Sequence, residues 1–160
     1  MPDIKTLYDE DFLAWSQQQV ETLREIARAG SNQVLDCENL AEEIEGLGIS
    51  QQSALGSQIK RIILHLLKLQ HSPAVNPRHG WENSIIDARD RIEDLIKRSP
   101  SLLSDVPDEI DEQLPRAARM AIRELGKRAE LDPALTAQIR ATTYTPDQIL
   151  GDWFPPEPQG

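Results

Sequence analysis

The stretch from Asp36 to Gln70, DCENLAEEIEGLGISQQSALGSQIKRIILHLLKLQ, decides the fold class. Advanced at ~100° per residue, Leu40, Ile44, Leu47, Gln51, Leu55, Ile59, Ile62, Leu66 and Leu69 stay nearly in phase, as one face of a helix does. From Ile62 onward Ile63, Leu64 and Leu67 add apolar groups on the other sides, and a helix apolar all round is a central one. Two outcomes stay open at Gly46, Gly48 and Ser50: a stop followed by a fresh N-cap, or one long helix softened by glycine.

Working outward, Asp9 reads as the N-cap of an earlier helix that ends before Gly30, with Phe12, Ser16, Val20, Leu23 and Ala27 as its buried stripe and Trp15 sealing a helix contact. Downstream, Pro73, Pro77 and Gly80 mark a loop over 71–80. Trp81, Ile85, Ala88, Ile92 and Leu95 then define a helix ending near Lys97 and Arg98, cations placed at its negative end. Ser99-Pro100, Asp132-Pro133 and Thr145-Pro146 each combine a capping side chain with proline at the first helical position. A helix from Pro107 to about Arg128 is expected to kink or divide at Pro115, and Pro155 to Pro158 reads as an extended tail.

Composition agrees with an all-α, compact antiparallel helical bundle. Leucine and isoleucine number 19 and 15 against 4 valines, and aromatic residues make up 4% of the chain, a balance poor in strand formers. At 160 residues the prior is one helical domain spanning 1–160. Met1-Pro2-Asp3-Ile4-Lys5 lacks the basic and apolar regions of a secretory signal. No apolar run approaches the ~20 residues that span a bilayer. With the single cysteine, Cys37, these features lead to the expectation of a cytoplasmic protein with no membrane partner. The formal net charge of −10 repels phosphate at long range and disfavours, without excluding, nucleic acid as a partner.

Carboxylates crowd the start of the central segment: Asp36, Glu38, Glu42, Glu43 and Glu45. Measured from Leu40, Glu38, Glu42 and Glu45 fall at about 160°, 200° and 140°, a solvated face, whereas Asp36 and Glu43 fall at about 320° and 300°, beside the stripe. His65 lies on a narrow polar strip with Arg61 and Lys68 and has the chemistry of a base or a ligand. The metal-binding spacings are missing: Ile62, Lys68 and Asn76 stand three residues before His65, His71 and His79, and no His-x-x-x-His occurs. On one continuous helix Glu43 and His65 would stand about 33 Å apart. No nucleotide loop or nucleophile elbow is present, and Cys37 reads as a buried small hydrophobe. No metal or cofactor is expected.

One basic feature stands out. Arg116, Arg119, Arg123 and Lys127 share a ~80° sector opposite Leu114, Ala118, Ala121 and Leu125. Residues 116–128 hold five basic groups and one acid, Glu124, a local +4 inside a chain of −10. Such a stripe is suited to phosphate, to an acidic peptide, or to plain solvation.

Leu7-Tyr8 with Asp11-Phe12 and Trp15, then Leu35-Asp36-Cys37-Glu38-Asn39-Leu40-Ala41-Glu42-Glu43-Ile44, then His65-Leu66-Leu67-Lys68, resemble a bacterial family catalogued as domain of unknown function twenty-nine. Trp81, Arg89, Ser99-Pro100-Ser101-Leu102, Arg119, Tyr144-Thr145 and Phe154-Pro155 look like its later landmarks. Leu69 stands where the family often has tryptophan, and Pro115 where an aromatic is common. The resemblance implies a small soluble helical domain without established activity, and it singles out Glu42, Glu43, His65 and Lys68 as a candidate polar site.

The reading that follows is a non-catalytic interaction or regulatory module, with a protein partner or a second copy of itself. The alternatives are a metal-assisted or carboxylate/histidine hydrolase built on Glu42 or Glu43 with His65 and Lys68, and nucleic-acid binding through the stripe at 116–127.

Overall fold

Asp11, not Asp9, organises the start of the chain. The computed structural model describes residues 3–30 and 34–158, so Met1 and Pro2, on which part of the signal-peptide reading rests, lie outside the described residues. A short helix α1 (Ile4–Glu10), capped by Asp3, precedes α2 (Phe12–Arg28). At Asp11 the chain is extended, with φ −154° and ψ 94°, and its Oδ1 accepts from Ala14 N at 3.0 Å. Its carboxylate also accepts from Ser101 N at 2.7 Å and Ser101 Oγ at 2.9 Å. Asp9 is an exposed residue inside α1. Across the break at Asp11, Tyr8 of α1 meets Trp15 of α2 edge-on at 4.9 Å between centroids. Ser16 and Val20 are buried as the spacing suggested, Leu13 rather than half-buried Phe12 begins the inward stripe, and Trp15, Leu23 and Ala27 are half-buried.

The central stretch is one helix, α3 (Cys37–His71), of 35 residues without a break. Asp36 caps it, its Oδ1 accepting from Asn39 N at 3.3 Å. Gly46 and Gly48 cost helix propensity, ~1 kcal/mol each, too little to stop a helix with so much apolar surface to bury. Gly48 has a packing reason: a Cβ there would lie 2.8 Å from Ser16 Oγ and 3.2 Å from Leu13 Cδ1. The close approach of α2 turns the inward face of early α3 toward Cys37, Ala41 and Gly48, all buried, and leaves Leu40 and Leu47 exposed. The expected phase holds only from Leu55 onward, where Leu55, Ile59, Ile62, Leu66 and Leu69 are buried.

Contacts divide the chain into two compact units, Met1–Ala54 with Asp94–Asp105, and Leu55–Glu93 with Val106–Gly160. In the first, Ser99 is buried and its hydroxyl accepts from Leu13 N at 3.1 Å, so it serves α2 while Pro100–Asp105 forms a 3-10 helix rather than the capped α-helix expected. In the second, α4 (Arg78–Arg98) buries Trp81, Ile85, Ala88 and Ile92 as its spacing predicted. Helix α5 (Val106–Lys127) runs through Pro115 undivided. Pro115 and Asp111, whose carbonyl loses its helical partner there, are both exposed, so the break in the hydrogen-bond ladder falls on the solvent side of the helix.

The last two caps match expectation. Asp132 accepts from Leu135 N at 2.7 Å to start α6 (Pro133–Ala141), and Thr145 forms a capping box with Gln148 to start α7 (Pro146–Leu150). The architecture is all-α, with no strand among the described residues. No helix among them is long and apolar enough to cross a membrane.

Candidate functional site

Lys68 is a buried charge of the second unit. It stands on the apolar C-terminal half of α3, is 8% exposed, and its Nζ pairs with the Glu124 carboxylate from α5. The same ammonium lies over the Trp81 ring at 5.6 Å, and the Arg128 guanidinium is also on that ring at 5.7 Å. Arg128 Nε pairs with Glu130 Oε1 at 2.9 Å, and Glu130 Oε2 accepts from Ser72 Oγ at 2.7 Å. The charges of this cluster are therefore matched within it.

His65 lies one turn before Lys68 in the same polar strip. Burial pushes its pKa down to about 4, the Lys68 charge pushes the same way, the Glu124 carboxylate opposes them, and Arg61 adds a smaller downward push. Its Nδ1 is buried and has no hydrogen-bond partner among the described residues. A base works best with a pKa near the operating pH, so a neutral imidazole held this low is poorly poised for proton transfer at neutral pH.

Glu42 and Glu43 do not join this cluster. Both are exposed, on the early part of α3, and the helix between them and His65 is unbroken. The candidate site of Glu42, Glu43, His65 and Lys68 therefore resolves into two places, and Glu124 supplies the carboxylate at His65 and Lys68. Asp36 and Glu43, read as bordering the buried stripe, are exposed; Glu45, read as solvated, is half-buried and bonds Arg24 at 2.6 Å. The rotated phase of early α3 accounts for all three. Cys37 is buried, as expected of a small apolar side chain. Among the described residues no group of three or more His, Cys, Asp or Glu is placed to hold a metal ion.

The basic stripe is where the helical angles placed it. Arg116, Arg119, Arg123 and Lys127 are all exposed on α5, opposite buried Ala117, Ala118, Ala121 and Leu125. Arg116 pairs with Glu112 of its own helix at 3.0 Å. Arg119, Arg123 and Lys127 form no ion pair among the described residues.

Two arginines escaped the reading of the sequence as organisers. Arg89 donates to the carbonyls of Gln148, Ile149 and Trp153 at 2.8, 2.9 and 2.7 Å, and its guanidinium stacks on Phe154 at 5.1 Å. Arg78, buried at the start of α4, donates to Leu69 O at 2.9 Å and Ser72 O at 3.2 Å, which closes the end of α3. Glu124 was missed too, although its angle of about 80° from Arg116 falls on the border of the inward sector of α5.

These features account for several landmarks at once: Asp11 with Ser101, Lys68 on Trp81, and Arg89 holding Phe154 and the chain before it. The chain resembles the crystal structure of an alpha-helical protein of unknown function from Rhodospirillum rubrum, with a TM-score of 0.62 and 23% identity over 89% of this chain and 88% of that one. At that identity the likeness concerns the fold. No curated protein matches the chain. The model of the domain of unknown function DUF29 matches residues 7–154, and the chain belongs to that family.

Proposed function

We propose that this protein is a non-catalytic interaction module that docks an acidic partner protein through the exposed basic face of α5. The observation that carries the reading is that Arg119, Arg123 and Lys127 present three cations to solvent on one side of a helix, with no carboxylate engaging them among the described residues. The opposite side of α5 is committed to the core, so the stripe is presented on a rigid element. The interior polar groups support the same reading: Lys68 is taken up by Glu124 and Trp81, and His65 is held neutral. An acidic peptide suits the stripe better than nucleic acid, because the overall charge of −10 repels a duplex, with one negative charge per ~1.7 Å of its axis, more strongly than a short peptide with a few carboxylates.

Fluorescence anisotropy of a labelled acidic peptide and of single-stranded and duplex DNA, against the wild type and the Arg119→Glu/Arg123→Glu/Lys127→Glu variant, tests this. The expected result is peptide binding that weakens with salt and is lost in the variant, with the melting temperature unchanged. Peptide binding that survives charge reversal, or tighter binding of DNA than of peptide, overturns it.

A further inference from the structure

Charge is sorted along α5 rather than mixed. The exposed carboxylates Asp108, Asp111 and Glu112 lie in its first half, and the exposed cations Arg116, Arg119, Arg123 and Lys127 follow in its second. Neighbours one turn apart on this surface are therefore mostly alike: Asp108 precedes Glu112, Arg119 precedes Arg123, and Arg123 precedes Lys127, a spacing at which like charges repel. Glu112 and Arg116, where the sign changes, pair within the helix at 3.0 Å. Asp108 and Asp111 form no ion pair among the described residues, and neither do Arg119, Arg123 and Lys127. The helix dipole favours acids in the first turn and bases in the last, which accounts for Asp108 and Lys127 but not for Arg119, about two turns from the end.

A helix sorted in this way matches a second copy of itself running the other way. Measured from Arg116, Asp108, Glu112, Arg119 and Arg123 fall at about −80°, −40°, −60° and −20°, so all four share one ~60° sector. Asp108 and Arg123 stand equally far along the chain from the point midway between Pro115 and Arg116, and so do Glu112 and Arg119. A two-fold axis at that point sets Asp108 of each copy against Arg123 of the other, and Glu112 against Arg119, in a single antiparallel register. The pairs then span about 22 Å of helix. Pro115, exposed beside the axis, carries no long side chain to hold the helices apart. Parallel alignment sets like against like, and sliding the antiparallel register until Glu112 meets Arg123 brings Arg116 against the other copy's Arg119.

We infer that α5 is a self-association face, on which two copies of this chain dock antiparallel through Asp108 with Arg123 and Glu112 with Arg119. The inference rests on the reading of the stripe as a docking face and names its acidic partner, the first half of α5 in a second copy. Apolar contact is confined to Pro115 and to half-buried Met120 and Ile122 on the flanks, so charge holds the dimer. The net charge of −10 on each copy opposes approach at long range. That repulsion is screened over ~8 Å at physiological ionic strength, while the pairs act at contact, so the dimer is weak and salt-sensitive.

Sedimentation velocity over a concentration series tests this on the wild type, on Arg119→Glu/Arg123→Glu, on Asp108→Lys/Glu112→Lys, and on an equimolar mixture of the two variants. The wild type is expected to dimerise at low salt and to dissociate at high salt. Each variant alone presents one sign to itself and is expected to lose roughly tenfold or more in self-affinity while keeping a cooperative melt. The mixture regains every pair, half of them with the signs exchanged, and is expected to recover the dimer, a result that misfolding of either variant would not produce. An acidic peptide added to the wild type should return it to monomer. A dimer that survives in either variant alone, or a mixture that stays monomeric while the wild type dimerises, overturns the inference. A wild type that stays monomeric at low salt and millimolar concentration overturns it too, and binding of the acidic peptide by that monomer would leave the reading of the stripe standing.

Discussion

Lys68 on α3 and Glu124 on α5 form an ion pair in which the ammonium is almost wholly buried and the carboxylate is one-third exposed. The lysine has Trp81 beneath it, so its charge is balanced by one carboxylate and one ring face. A buried cation whose partner is removed keeps its desolvation cost without the compensating attraction.

Glu124→Ala is therefore expected to destabilise the protein by roughly 2–3 kcal/mol, below the ~3–5 kcal/mol of a fully buried pair because Glu124 is partly solvated. Lys68→Met combined with Glu124→Leu should recover most of that loss. Urea unfolding of the wild type, Glu124→Leu, Lys68→Met and the double variant checks it; additive losses would refute the pairing as the cause.

His65 sets a pH dependence whose sign follows from its depressed folded-state pKa of about 4 against 6.5 unfolded. Between those values the unfolded chain binds the extra proton, so stability rises with pH. The contribution is complete above about pH 6.5, falls away as the pH drops toward 4, and amounts to about 2 kcal/mol after allowance for partial exposure. His71, also lowered by burial, acts in the same direction, so His65→Gln should flatten the acid limb only in part. An imidazole titration by NMR that places His65 above pH 6 would refute this.

Arg89 gathers three backbone carbonyls and a ring with one guanidinium. Arg89→Ala leaves those carbonyls short of donors and should cost roughly 2–4 kcal/mol. Arg89→Lys should rescue little, because one ammonium lacks the planar fork. Limited proteolysis read by mass spectrometry should show earlier cleavage within 145–158 in both variants, and equal resistance would count against the clamp.

The two glycines of early α3 should respond oppositely. A Cβ at Gly46 meets nothing within 4 Å, so Gly46→Ala is expected to stabilise by roughly 0.5–1 kcal/mol through helix propensity. At Gly48 the new methyl would crowd the buried Ser16 hydroxyl and Leu13, and Gly48→Ala should lose ~1 kcal/mol net despite the same propensity gain. Paired denaturation curves decide the contrast, and a stabilising Gly48→Ala would mean that α2 yields easily.

Much of the fold was legible because it depends on neighbours a few residues away. Asp132-Pro133 and Thr145-Pro146 announce their helices since a cap satisfies N–H groups within the same first turn. The stripe on α4 and the basic face of α5 follow from helical repeat alone, and Leu55 to Leu69 read correctly because so apolar a segment is buried at almost any rotation. The polar site was legible in half: His65 and Lys68 share a strip on one helix, but the carboxylate beside them comes from another.

Helix content, cap chemistry and the distribution of charge along the chain were thus settled by local covalent and steric rules. The rotation of early α3 was decided by tertiary packing, since only the approach of Ser16 to Gly48 makes Cys37, Ala41 and Gly48 the inward side and releases Leu40 and Leu47 to water. The same holds for Glu124 on Lys68 and for Arg89 on the chain around Trp153. Each joins residues more than thirty positions apart, and no periodicity within one helix records which helix will come to lie against it.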